Sequence, residues 1–139
     1  MLHITAHLND DMPVPERHGA WVDLACAEDV DMKQGEVRII SLGIRMQLPD
    51  GYEGIIAPRS STCLKHGIMA ANSIGIIEND YAGDDDVWGL VAYAVRDTHI
   101  DRGTRLAQFR VLKTMDDVEL SFVDAMPNPN RGGYGSTGL

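Results

Sequence analysis

Positive charge is scarce in this chain. Twelve Lys and Arg stand against 21 Asp and Glu over 139 residues, a formal net charge of −9. So acidic a surface repels phosphate backbones and anionic headgroups. It argues against non-specific binding of nucleic acid and against a membrane partner. A small polyanion could still be bound, provided that the few cations are concentrated or a divalent metal is recruited. Cysteine is almost absent: Cys26 and Cys63 lie far apart and in no metal-ligand spacing, so both read as reduced, small core residues. No apolar stretch reaches the ~20 residues needed to span a bilayer. The opening Met1–His7 carries neither the basic region nor the apolar run of a signal peptide. A cytoplasmic location is the expectation.

What remains is ordinary for one globular domain: 44% hydrophobic and 24% charged residues. The pattern is one of short strands. Residues 2–8 alternate as Leu2, Ile4, Ala6 and Leu8, which predicts a half-buried strand. Asp10–Arg17 reads as an extended, proline-bearing link. Strands follow over 19–27, 36–40, 43–48, 52–57, 87–95, 104–112 and 119–123. Pro49-Asp50-Gly51 is a turn by composition, and 97–103 is a polar turn. Residues 72–83 read as a hairpin with Gly75 near its bend. One short helix is expected after Ser60 or Ser61, either of which suits an N-cap before Cys63–His66. These features predict an all-β sandwich or barrel with one short helix. Residues 1–126 form that domain, and 127–139 form an arm behind the linker Pro127-Asn128-Pro129-Asn130.

Three places carry chemistry on their residues alone, and one acidic run does not. Asp23 is an acid set between Val22 and Leu24, which reads as a turn starter or as a functional carboxylate. Arg59-Ser60-Ser61-Thr62 offers a guanidinium and three hydroxyls, and a helix N-terminus there would also attract phosphate. Asp84-Asp85-Asp86 reads as a solvated turn, not a metal site. The tail from Asn130 to Leu139 combines four glycines with Arg131, Tyr134, Ser136 and Thr137. Glycines free backbone N–H groups to cradle an anion, and arginine forks onto phosphate oxygens. The other reading of that tail is a frayed terminus. His66 has no partner in pattern and takes no catalytic role.

Five segments then occur in a fixed order: Gly19–Leu24, Pro58–Ser61, Gly75–Gly83, Gly103–Gln108 and Arg131–Gly138. Together they resemble the five motifs of the trimeric deoxyuridine triphosphatases (dUTPases), across nearly the whole chain. Gly83–Trp88 and Pro58–Thr62 are most similar to the Bacillus and bacteriophage branch. The resemblance implies a distorted jelly-roll or β-barrel subunit with a flexible C-terminal arm. It implies a homotrimer whose sites lie between subunits, and hydrolysis of dUTP to dUMP and pyrophosphate with Mg²⁺. By the same resemblance, Asp23 holds the metal through water. Arg59 orients the site, and Ser60 and Ser61 donate to the α/β-phosphates. Asn72 and the backbone from Gly75 to Ile77 read the uracil edge, and Tyr81 packs beneath the deoxyribose. Gln108 binds phosphate. Arg131, Ser136 and Thr137 grip the γ-phosphate, and Tyr134 stacks over the base. Arg105 is structural, an ion-pair partner, while Trp21, Trp88 and Tyr93 belong to the core.

One departure matters. Glu78 stands where the family has the aspartate that activates the attacking water. Glutamate brings the same carboxylate one methylene further out, and a base displaced by ~1 Å can lose on the order of 10²-fold in rate. Thr104 stands for a common aspartate, and Ser61 for a common glycine. Three other functions compete. One is a nucleotide hydrolase of altered base choice, such as a dCTP-directed member of the same superfamily; its deaminase relatives carry a catalytic glutamate in the strand matching Gly89–Tyr93, which here has no acid. A nucleotide-gated binding protein would use arm closure to signal to a regulatory partner. A purely structural β-domain would leave the five motifs without a purpose.

Overall fold

The computed structural model describes residues 1–135. Twelve strands and one helix appear among them: β1 Thr5–Leu8, β2 Glu16–His18, β3 Trp21–Ala25, β4 Val30–Met32, β5 Val37–Ser41, β6 Ile44–Gln47, β7 Tyr52–Pro58, α1 Thr62–His66, β8 Ile68–Ala70, β9 Gly75–Ile77, β10 Gly89–Ala94, β11 Thr98–Ile100 and β12 Arg105–Lys113. All pairings are antiparallel. The sheets run β2-β3-β12-β7-β9, β5-β10-β8, β1-β6 and β4-β11. This is the expected distorted jelly roll.

Alternation builds its core. In β10, Leu90, Ala92 and Ala94 point inward and are buried, while Tyr93 faces out. Residues 87–95 are therefore buried on one face only, and Tyr93, at 37% exposure, is not the core residue it was expected to be. Trp88 is fully buried and meets Phe109 edge-on at 5.4 Å. Trp21 is only partly buried, and the Arg110 guanidinium lies 5.8 Å from its ring centroid. Gly54 leaves the space that Trp88 fills, since a Cβ there would lie 3.0 Å from Trp88 Cη2.

Four local expectations are corrected. The link over 10–17 ends in a strand, β2, because Glu16–His18 finds an open edge on β3. The polar turn over 97–103 contains β11, which pairs with β4, a strand not foreseen. Residues 72–83 do not form a simple hairpin: β8 pairs with β10 and β9 with β7, so the chain changes sheets through the turn 71–74. Ser73 takes the positive φ there, at 64°, and Gly75 lies inside β9 rather than at a bend. Finally, 119–123 forms no strand and is exposed throughout, with Leu120 at 72% and Phe122 at 92%.

Candidate active site

Sheet register brings three of the motifs together. Gln108 in β12 lies opposite Asp23 in β3 on one side and Ala57 in β7 on the other. Arg59 follows directly from the end of β7. The Asp23 side chain is only 3% exposed, and its Oδ2 sits 3.2 Å from Arg59 Nε. That oxygen nevertheless receives no directed hydrogen bond. The contact is a charge pair approached off-axis, and it leaves a buried carboxylate oxygen with capacity to accept. His18 Nε2 stands 3.8 Å from the same oxygen. Behind it, Arg105 pairs with Glu16 at 3.1 Å and donates to His18 at 3.2 Å. This is the structural role expected of Arg105. Gln108 Nε2 donates to the Pro58 carbonyl at 3.1 Å, tying it to the same corner.

The turn after Arg59 sorts its hydroxyls. Thr62 is fully buried; its Oγ1 donates to Leu106 O and accepts from Arg59 N. It is a structural pin, so only two of the three hydroxyls face outward. Ser61 occupies the N-cap position without making the side-chain capping bond, and Ser60 is exposed. Both are therefore available to a ligand. Burial, followed by the neighbouring cations Lys65, Arg59 and Arg96, holds the His66 imidazole below its usual pKa.

A second cluster forms around β9. Ile76, Ile77, Glu78, Asp80 and Tyr81 line an open groove of about 360 Å³. Glu78 and Asp80 point to solvent. Tyr81 is held at the groove edge by its backbone bond to Glu78 O and by its hydroxyl, which donates to Val87 O at 3.2 Å. Asn79 turns inward between the two acids, and its Nδ2 donates to Pro49 O and Tyr52 O. Sequence reasoning passed over Asn79. Its signal was the alternation of acid, amide and acid over 78–80, which turns the middle side chain toward the protein. Asn72 is exposed in the turn before β9.

These clusters lie at opposite ends of β7. Ile77 is opposite Gly54, whereas Gln108 is opposite Ala57 and Arg59 follows Pro58. Gly54 and Pro58 are four residue steps apart along the strand, roughly 13 Å at the usual rise. One protomer thus gathers Asp23, Arg59, Ser60, Ser61 and Gln108 in one place and Ile77, Glu78 and Tyr81 in another, with Gly75, opposite Ile56, between them. Arg131 and Tyr134 are exposed in the tail, whereas Ser136 and Thr137 lie outside the described residues.

No group of three or more His, Cys, Asp or Glu side chains among the described residues could hold a metal ion. Asp84–Asp86 forms a turn closed by Gly83 N donating to Asp86 Oδ2. Cys26 is buried, and burial pushes its thiol up; Cys63 is partly buried. No described helix is long and apolar enough to cross a membrane.

The dUTPase family model matches residues 10–138. A relative named as the SPbeta prophage-derived deoxyuridine 5'-triphosphate nucleotidohydrolase of Bacillus subtilis is 49% identical over 120 residues, covering 86% of this chain and 84% of the relative. In fold, the chain is similar to a dUTPase variant of Staphylococcus bacteriophage 80alpha with dUpNHpp, at TM-score 0.78, 20% identity and 99% of each chain. It is also similar to a dUTPase variant from phage phi11 of S. aureus, whose structure concerns the coordination of a structural Mg(II) ion. There the TM-score is 0.73 and the identity 21%, over 88% of this chain and 97% of the other.

Proposed function

Because the chain belongs to the dUTPase family, and so is a deoxyuridine 5'-triphosphate nucleotidohydrolase, we propose that it cleaves the α–β phosphoanhydride of dUTP with water at sites shared between subunits of a homotrimer, with Glu78 as the base. The products are dUMP and pyrophosphate. The observation that carries the shared site is the separation along β7. Within one protomer Ile77, which leads into Glu78, lies opposite Gly54, five residues before Arg59 and its serines. A nucleotide bridging both clusters is served by two copies of the chain. The exposed apolar residues Leu120 and Phe122 support the same assembly, since they suit burial against another subunit.

The donor set fits Mg²⁺. Magnesium keeps most of its waters and takes one or two carboxylates plus substrate phosphates. A single buried carboxylate with an oxygen that lacks a directed bond, in a chain with no multidentate cluster among its described residues, is that kind of partner. Asp23 would hold the ion through water. When bound, Mg²⁺ neutralises triphosphate charge that this acidic chain cannot.

The chain's own residues carry the rest. Arg59 is held by Asp23 and directs its remaining N–H groups toward phosphate. Ser60 and Ser61 donate to the α/β-phosphates. Tyr81, fixed by Val87, packs against the deoxyribose and leaves no room for a 2'-hydroxyl. Asn72 and the β9 backbone read the uracil edge. Glu78 takes a proton from the attacking water as its oxygen bonds to phosphorus, and pyrophosphate leaves. The arm over 127–139 closes the site with Arg131, Ser136 and Thr137 on the γ-phosphate and Tyr134 over the base. A cytoplasmic location suits such a substrate.

Pyrophosphate release with Mg²⁺ from dUTP, UTP, dTTP and dCTP tests this reading. Selective release from dUTP is expected, abolished in Glu78→Gln and retained in Glu78→Asp. If Glu78→Gln turned dUTP over at the unmodified rate, Glu78 would not be the base. Tight dUTP binding without turnover by the unmodified chain would favour the nucleotide-gated binding protein instead.

A further inference from the structure

We infer that Arg96 is a positioning residue for the phosphate-binding turn Arg59–Ser61, acting through helix α1; the inference rests on the phosphate role proposed above for that turn. Helix α1 has five residues, too few to hold a helix in water unaided. Its place is set from both ends. At its start, Thr62 Oγ1 donates to Leu106 O and accepts from Arg59 N. At its end, the carbonyls that a helix leaves unsatisfied are taken up by one segment, the link from β10 to β11 together with Thr98 at the start of β11. Arg96 Nη2 donates to Leu64 O and to Lys65 O, each at 3.1 Å. Thr98 Oγ1 donates to His66 O at 2.7 Å, and Val95 N donates to Gly67 O at 2.8 Å.

Gly67 shows how tightly that end is built. It closes the helix at φ 67°, in the left-handed region. A Cβ added there would lie 2.8 Å from Arg96 Cγ and 3.0 Å from Arg96 Nε. The arginine therefore crosses directly over the glycine, and any larger residue displaces it. The positive charge of Arg96 also reaches His66, where, after burial, Lys65 and Arg59, it contributes to lowering the imidazole pKa. Five residues of helix span only about 7.5 Å, so a tilt at Leu64–Gly67 is felt at Ser60 and Ser61. Thr62 keeps the helix attached when Arg96 is removed. The expected consequence is a misaimed turn in a folded protein, confined to the triphosphate half of the ligand. Glu78 and Tyr81 stand on a different element.

The test compares dUpNHpp, a triphosphate analogue, with deoxyuridine, which has no phosphate. Binding to the full chain is measured by calorimetry with Mg²⁺, alongside melting temperature, for the unmodified chain, Arg96→Ala, Arg96→Lys and Gly67→Ala. Arg96→Ala is expected to weaken dUpNHpp about three- to tenfold, the scale of one or two ordinary hydrogen bonds. Deoxyuridine should stay within about twofold by the same reasoning. Arg96→Lys should recover part of the loss, and Gly67→Ala should reproduce it by displacing the guanidinium. Unchanged dUpNHpp affinity in Arg96→Ala overturns the inference, and so does an equal loss for both ligands. If Arg96→Ala does not fold, Arg96→Lys and Gly67→Ala are judged by the same two criteria. An unmodified chain that binds deoxyuridine but gains nothing from the triphosphate refutes the phosphate role of the turn, and the inference with it.

Discussion

Replacing Asp23 by Asn tests the centre of the proposed site while changing almost nothing in shape. The carboxylate is 3% exposed and stands 3.2 Å from Arg59 Nε. At an effective dielectric of about 20, unit charges at that distance attract by roughly 5 kcal/mol. Desolvation of the carboxylate offsets part of this. Breaking a buried pair by removing one partner typically costs about 3–5 kcal/mol, but the Arg59 side chain is 35% exposed, and water can take over some of its charge. A net loss of about 2 kcal/mol follows. For a chain of this length that corresponds to a drop of about 6–10 °C in melting temperature. Asparagine removes the negative charge and leaves at most a neutral hydrogen bond to its Oδ1 in place of the ion pair. Turnover should fall about 100-fold or more, because the carboxylate proposed to hold the metal is lost. The assay is thermal melting at fixed protein concentration, with and without Mg²⁺ and dUpNHpp, together with pyrophosphate release. Stabilisation by dUpNHpp that depends on Mg²⁺ should disappear in Asp23→Asn. A double mutant with Arg59→Gln should cost less than the sum of the single changes, since both report one pair. An Asp23→Asn protein with unmodified melting and unmodified Mg²⁺ response would refute both the pairing argument and the metal role.

Three further outcomes are expected. His99 bridges Asp31 at 2.6 Å and Asp101 at 2.8 Å, and only the imidazolium carries a proton on both nitrogens. Those bonds, to Asp31 first and then Asp101, raise its pKa in the folded protein. The stabilisation is thus full below the ordinary value of about 6.5 and is lost as pH rises through the raised value. Denaturation midpoints should fall in His99→Gln at about pH 5.5 and hardly at all near pH 9, and an equal loss at both would contradict the bridge. Gly54→Ala would set a Cβ 3.0 Å from Trp88 and 3.3 Å from Ile77; it should cost about 1–3 kcal/mol in chemical denaturation and disturb dUpNHpp affinity through Ile77. Removing residues 127–139 should lower turnover about tenfold or more with little change in melting temperature, because 127–135 is exposed throughout.

The strands were readable wherever an apolar, β-branched run or an alternation extended for five residues or more, as in β7, β10 and β12. They were missed where it did not. Val30-Asp31-Met32 and Thr98-His99-Ile100 are three residues each, too short to show a period, and only their mutual pairing makes them strands. Glu119–Val123 shows the opposite failure. Its alternation is real, but a period-two pattern says that a face can be buried and not which strand will cover it. Within the described residues nothing does. At the site, the motif order pointed to Asp23, Arg59, Gln108, Glu78 and Tyr81. It was silent on Asn79 and Arg96, whose roles depend on carbonyls far away in sequence.

The sequence by itself determined the all-β class, the family and the residue types of the site, because periodicity and ordered motifs are local properties of the chain. Only the tertiary structure decided that Asp23 is buried against Arg59, that Thr62 pins the turn while Ser60 and Ser61 face out, and that Glu78 stands at the far end of β7 from its proposed co-workers. Those facts follow from strand register, which is set by packing between segments as far apart in sequence as Val22 and Phe109 and is written in no single stretch of the chain.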